Sequence, residues 1–170
     1  MEAKQLVDAT KYQLQLVLGF FSRVEAKASV VLAVNTGMLG ALAANLPSSQ
    51  NFQWRMFVAV VPVVLIGLSD WFLFRITFPD LKGGSNSLVY FRTIAERTEH
   101  KFIEEFMAMD TNDYVKDMLG QVWRNSEILS KKFDHLKAAF ILMLLAILPW
   151  VIALAIFVSR NNALQHVVHP

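Results

Sequence analysis

Three stretches of this chain are long and apolar enough to cross a bilayer, which takes about 20 such residues. They are residues 28–46, residues 56–74 with Asp70 as an interruption, and residues 138–158, uncharged throughout. The 170 residues suit one domain, and 55% of them are hydrophobic, above the roughly 45–50% of soluble domains. No strand-like alternation, internal repeat or low-complexity tract competes with helical patterning. The expected fold is an all-α integral membrane protein, with three transmembrane helices and long cytoplasmic helical extensions forming a small bundle. A secretory signal peptide is not expected, because the first 27 residues carry seven charges and lack a short apolar core with a cleavage site.

Lys and Arg placement orients the spans. Residues 1–27 hold four, the loop 47–55 one, the segment 75–137 ten and the tail 159–170 one. The expected plan is one membrane domain over 1–170. It has a cytoplasmic amphipathic helix (1–27), spans at 28–46, 56–74 and 138–158, a cytoplasmic helical hairpin (79–137) and a periplasmic tail (159–170).

Residues 2–24 lack proline, and Leu6, Tyr12, Leu16, Phe20 and Val24 define an apolar side. Two readings are open: one long helix continuous with the first span, or an interfacial helix lying on the membrane. "LPSSQNF" (46–52) reads as a turn and "PDLKGGSNS" (79–87) as a break with capping residues. Pro62 falls near the outer end of the second span, where a lost hydrogen bond is tolerated. At its exit Trp71 and Phe74 suit an interface belt and Arg75 can snorkel. A helix of about 20 residues is expected from Leu88 to near Met109. "MDTND" (109–113) supplies a turn and an N-cap, and a second long helix runs from Asp113 into the third span, with no proline before Pro149.

Small residues recur every fourth position in the first span, at Ser29, Ala33, Gly37 and Ala41, with Gly40 and Ala44 adjacent. In lipid such a face lets backbones approach. Packing on the chain's own spans is the ordinary explanation, contact between subunits the other. Asn35 and Thr36 sit in the middle of this span and call for partners on a neighbouring helix. Asp70 is an intramembrane carboxylate, hence a functional candidate, although pairing with Arg75 or Lys27 is the plainer account. Arg23, Glu25 and Lys27 cluster at the entrance of the first span, with Lys132 or Asp134 as expected partners.

Catalytic constellations are missing. His100 and His135 fall on different helices, and His166 and His169 offer no third ligand. There is no metal-spaced cluster, phosphate loop or nucleophile motif, and there is no cysteine. The chain is therefore expected to be no enzyme, with no catalytic residue, metal or cofactor. A net charge of +2 gives no argument for nucleic acid. What remains is recognition of a small anionic nucleotide by the cytoplasmic helices. Arg92 and Arg124 would meet phosphate, with Tyr90, Trp123 and Asn125 for the base. Headgroup contact or helix packing would use the same arginines and aromatics.

Three blocks carry a family resemblance: "RVEAKASVVLAVNTGMLG" (23–40), "LVYFRTIAE" (88–96) and "QVWRNSEILSKKFDHLKAAF" (121–140). In order and spacing the chain resembles the transmembrane effector domain of bacterial Pycsar antiphage systems, over essentially its whole length. The first block is the most specific. The matching positions are Arg23, Glu25, Lys27, Asn35, Thr36, Gln121, Ser126 and Lys132. The resemblance implies an effector paired with a nucleotide cyclase. The cyclase makes cyclic CMP or cyclic UMP on infection, and the effector then damages the inner membrane, giving abortive infection. With no sensor domain beside the spans, sensing is expected to fall to these 170 residues. The expected partners are the lipid bilayer, a cyclic pyrimidine mononucleotide and further copies of the chain in a homo-oligomer. A constitutive membrane anchor or scaffold, binding a protein through its cytoplasmic helices, is the alternative.

Overall fold

The computed structural model describes residues 2–46, 54–78 and 86–168, with side chains over 2–46, 57–78 and 86–159. The turn at 47–52, the break at 79–85 and the side chains of Arg55, Arg160, His166 and His169 lie outside the described residues. The described residues form helices only: α1 (Ala3–Ala44), a 3-10 turn (Trp54–Ala59), α2 (Val60–Thr77), α3 (Phe91–Ala95), α4 (Glu99–Ala108) and α5 (Thr111–Val168).

α1 is unbroken for 42 residues, so the amphipathic segment and the first apolar stretch are one helix. Nothing in its sequence stops it. Its hydroxyls at Thr10, Ser22, Ser29 and Thr36 bond back to carbonyls three or four residues earlier instead of breaking the ladder. α5 is longer still, at 58 residues. Asp110 starts it, its carboxylate accepting from the backbone N–H groups of Asn112 and Asp113. Pro149 removes one N–H from the ladder, yet the helix continues through it. Pro62 is the third residue of α2, among the N–H positions that have no intrahelical acceptor in any case.

The single helix expected from Leu88 to near Met109 is instead two, α3 and α4. Thr98 between them is extended, and its hydroxyl accepts from the Lys101 N–H, capping α4. A good N-cap in mid-segment outweighs the continuous apolar pattern around it.

Two helices are long and apolar enough to cross a membrane, over Phe57–Thr77 and Thr111–Ser159. The three expected spans are thus matched by two. α1 is not one of these two; its apolar half carries Asn35, Thr36 and two glycines.

The burial pattern explains both long helices. From Val7 to Leu42 a series of buried and half-buried positions of α1 alternates steps of three and four, and α5 contains the same series from Val115 to Phe157, with buried Gln121 and further half-buried residues beside it. This is a 3.5-residue period, the seam of a coiled coil. It replaces the expected apolar side, for Tyr12, Leu16 and Phe20 are all exposed. Asn35 and Lys132 occupy seam positions and are themselves buried.

The chain forms two compact units. One comprises Met1–Val24 and Pro79–Phe133, the other Glu25–Phe78 and Asp134–Pro170. In the second unit Met38, Ile66 and Ala146 form one core layer, and Leu42, Ala153 and Phe157 the next. This order makes its α1 and α5 halves parallel and α2 antiparallel to both.

Candidate functional site

Each unit has a buried polar knot. In the second unit it joins three helices. Asn35 Nδ2 donates to Ser69 Oγ at 2.9 Å and to Asp70 Oδ1 at 2.7 Å. Ser69 Oγ in turn donates to the Ala139 carbonyl at 2.8 Å. Asn35 and Ser69 are fully buried. A buried asparagine on a coiled-coil seam fixes register at some cost in stability, and here the cost is visible: Asn35 Oδ1 has no partner among the described residues. One layer on, Trp150 Nε1 donates to the Met38 carbonyl at 2.8 Å.

Ala139 is the second residue of the third apolar stretch, and Asp70 lies five residues from Arg75. On α2 and α5 the knot is therefore near the charged ends of the apolar stretches, while on α1 Asn35 is eight residues beyond Lys27, in the middle of its stretch. Asp70 bonds Asn35, and among the described residues it makes no ion pair with Arg75 or Lys27. Thr36 has a different fate from its neighbour. It is exposed and bonds back to the Leu32 carbonyl.

Most of the small-residue face is left open among the described residues. Ser29, Ala33, Gly37, Gly40 and Ala44 are exposed and Ala41 is half-buried, and a Cβ added at Gly37 or Gly40 meets nothing within 4 Å. Packing on the chain's own described helices therefore reaches this face only at Ala41. Arg23, Glu25 and Lys27 are exposed too, with Arg23 over the Phe20 ring at 4.9 Å. Lys132 is buried, its Nζ 5.3 Å from the centre of the Phe21 ring.

In the first unit the knot forms around Ser87. Its hydroxyl accepts from Val89 N, Tyr90 N and Gln121 Nε2, so it caps the segment leading into α3 and ties that segment to α5. Asp117 adds a second tie, accepting from Leu88 N at 2.8 Å. Asn86 just before has φ of 60°, a left-handed conformation that asparagine tolerates better than most residues.

Arg97 closes this knot. Its guanidinium donates to the carbonyls of Asn86, Ser87 and Thr93 and, at 2.7 Å, to Glu105 Oε2. Sequence reasoning missed it, because the mixed charges of 97–105 look like an ordinary solvated helix face. Thr98 as an N-cap was the available signal that Arg97 is in a turn and free to fold back on carbonyls.

The first unit also holds an open cavity of about 710 Å3, whose lining includes Glu96, Arg97, Lys101, Glu105 and Asp113. None of the expected ligand residues lines it. Three acids face two cations, and Arg97 is already committed to four acceptors, so an anion would find only Lys101 there. The expected ligand residues lie elsewhere in the unit. Tyr90 stacks obliquely on Phe91, and Arg92 is exposed beside Glu96 at 3.9 Å. On α5, Trp123 is 68% exposed, Asn125 and Ser126 bond back to helix carbonyls, and Arg124 is half-buried. Among the described residues no hydrogen bond or ion pair joins Arg92 to Arg124 or Trp123. Among the described residues no group of acids and histidines could hold a metal ion.

The Pycsar effector protein domain matches residues 9–159 of this chain. The chain belongs to the Pycsar effector family. That match takes in all but the first few residues of α1, the two apolar helices and both polar knots. No curated protein and no solved structure matches the chain. As a Pycsar effector the chain is assigned to antiviral defence and to the membrane, and neither its family nor its fold indicates catalysis.

Proposed function

We propose that this Pycsar effector is a ligand-triggered membrane effector, held silent until a partner cyclase makes cyclic CMP or cyclic UMP, and then impairing the bacterial inner membrane to abort infection. What carries this reading is the family match over residues 9–159. It is supported by the division into one unit with the apolar helices and one rich in polar contacts.

In this reading the second half of α1 is a third span, because it is an uncharged stretch bounded by Lys27 on one side and the loop carrying Arg55 on the other. The N-terminus and the first unit then face the cytoplasm, where a nucleotide would be met. The open part of the small-residue face of α1 is where copies of the chain would associate, since close helix packing, not hydrophobic burial, drives association in lipid. Nucleotide must bind the active arrangement more tightly than the silent one. A shift from 1:99 to 99:1 takes about 5.5 kcal/mol, within reach of several subunits binding together.

The test is growth and membrane potential in cells carrying the effector with an active or an inactive cyclase. Growth arrest and depolarisation are expected only with the active cyclase. Arg23→Ala should abolish toxicity while the protein stays in the membrane fraction. Toxicity that does not depend on the cyclase would overturn the proposal.

A further inference from the structure

Two guanidiniums in the first unit are withdrawn from water, and they differ in one respect. Arg97 is matched on every side. Arg124 makes no hydrogen bond and no ion pair with any described residue, and its Nε is fully buried without an acceptor. A charge taken out of water without a partner is costly, and arginine cannot shed its proton to avoid that cost. The rest of the side chain remains partly exposed, so an anion can reach the outer edge of the guanidinium.

The backbone is adapted to hold the group in place. Arg124 folds back over Gly120, one turn earlier on α5, and a Cβ there would sit 3.0 Å from Nη2 and 3.7 Å from Cζ. Glycine in a helix interior is less stable than alanine. At this position the missing Cβ leaves a recess that the guanidinium occupies. Nε is turned inward, so the two terminal nitrogens, Nη1 and Nη2, are the edge left for two oxygens of a phosphate.

We infer that Gly120 and Arg124 form the seat of a singly charged phosphodiester. Taking its source as the cyclic nucleotide rests on the function proposed above; an anionic lipid headgroup carries the same chemistry. The seat is separate from the cavity beside α4, which is lined by neither residue.

The experiment uses the full chain purified in detergent, titrated calorimetrically with cyclic CMP and cyclic UMP, and in parallel placed in nanodiscs of phosphatidylcholine with or without phosphatidylglycerol. Arg124→Gln should weaken nucleotide binding on the order of 10- to 100-fold. Gly120→Ala should weaken it by a smaller factor without lowering the melting temperature of the ligand-free protein. That split would not arise if Gly120 were only a packing position. If no nucleotide binds the unaltered chain, but phosphatidylglycerol raises its melting temperature and Arg124→Gln removes the rise, the seat stands with a lipid as its ligand and the nucleotide reading fails. If nucleotide binds the unaltered chain and Arg124→Gln equally, the seat is overturned while the proposed function survives. If neither ligand's effect depends on Arg124, the seat is overturned.

Discussion

The two polar knots are built on opposite principles. Around Ser87 and Arg97 every polar group invoked has a partner, and most partners are backbone atoms within a dozen residues. Around Asn35 the bonds bridge helices 34 and 70 residues apart in sequence, and one acceptor is left over. The first knot holds a short, irregular segment in shape, where two short helices could not hold themselves. The second sits among helices that already have a regular apolar seam. Its bonds choose one register of that seam, as a buried seam asparagine does. The first should therefore carry stability and the second geometry.

The largest expected effect is at Arg97. Arg97→Met removes a nearly buried guanidinium, leaves Glu105 with only the exposed Lys101 at 3.8 Å and frees three carbonyls, so it should cost about 3 kcal/mol, read as a lower melting temperature in detergent. Asn35→Leu should cost less, about 1 kcal/mol, the ordinary worth of interhelical hydrogen bonds in membrane proteins. A double-mutant cycle with Ser69→Ala should return a coupling of similar size. An Asn35→Leu cost equal to that of Arg97→Met would erase the distinction between the knots. Trp150→Phe loses one bond to the Met38 carbonyl and should cost about 0.5–1 kcal/mol. Gly37→Leu is the smallest in stability, within about 0.5 kcal/mol, because its Cβ position is open. Its effect should appear instead in function: cells should no longer depolarise, since the added side chain blocks close approach of a second copy. Normal depolarisation by this variant would reduce α1 to a packed anchor.

Much of the fold was legible because its signals are local. The uncharged run 138–158, a cap within 109–113 and the lack of helix breakers in α5 each act within a few residues, whereas the same lack in α1 left a continuous and an interfacial helix both open. The seam was not legible. In a chain meant for lipid, outward positions such as Val30, Leu32 and Val34 are as apolar as inward ones, so a 3.5-residue period is hidden among apolar residues that face away from it. Arg97 escaped for a related reason: a mixed-charge stretch looks alike whether its side chains face water or fold back on carbonyls. Asn35 was legible as costly, but its partners on α2 and α5 depend on a register that no local pattern contains. Arg124 was legible as a phosphate candidate by type; its seat on Gly120 was not, because side-chain direction along a helix is not written in composition.

The central claim is that a small cyclic nucleotide switches this effector's action on a membrane. The most direct measurement is potassium efflux from liposomes of bacterial lipid reconstituted with the purified full chain, before and after cyclic CMP or cyclic UMP is added on both sides. The account predicts tight vesicles until one of the two nucleotides is present, then rapid efflux, with no response to cyclic AMP. Efflux that begins at reconstitution, or vesicles that stay tight at millimolar concentrations of both nucleotides, would contradict it.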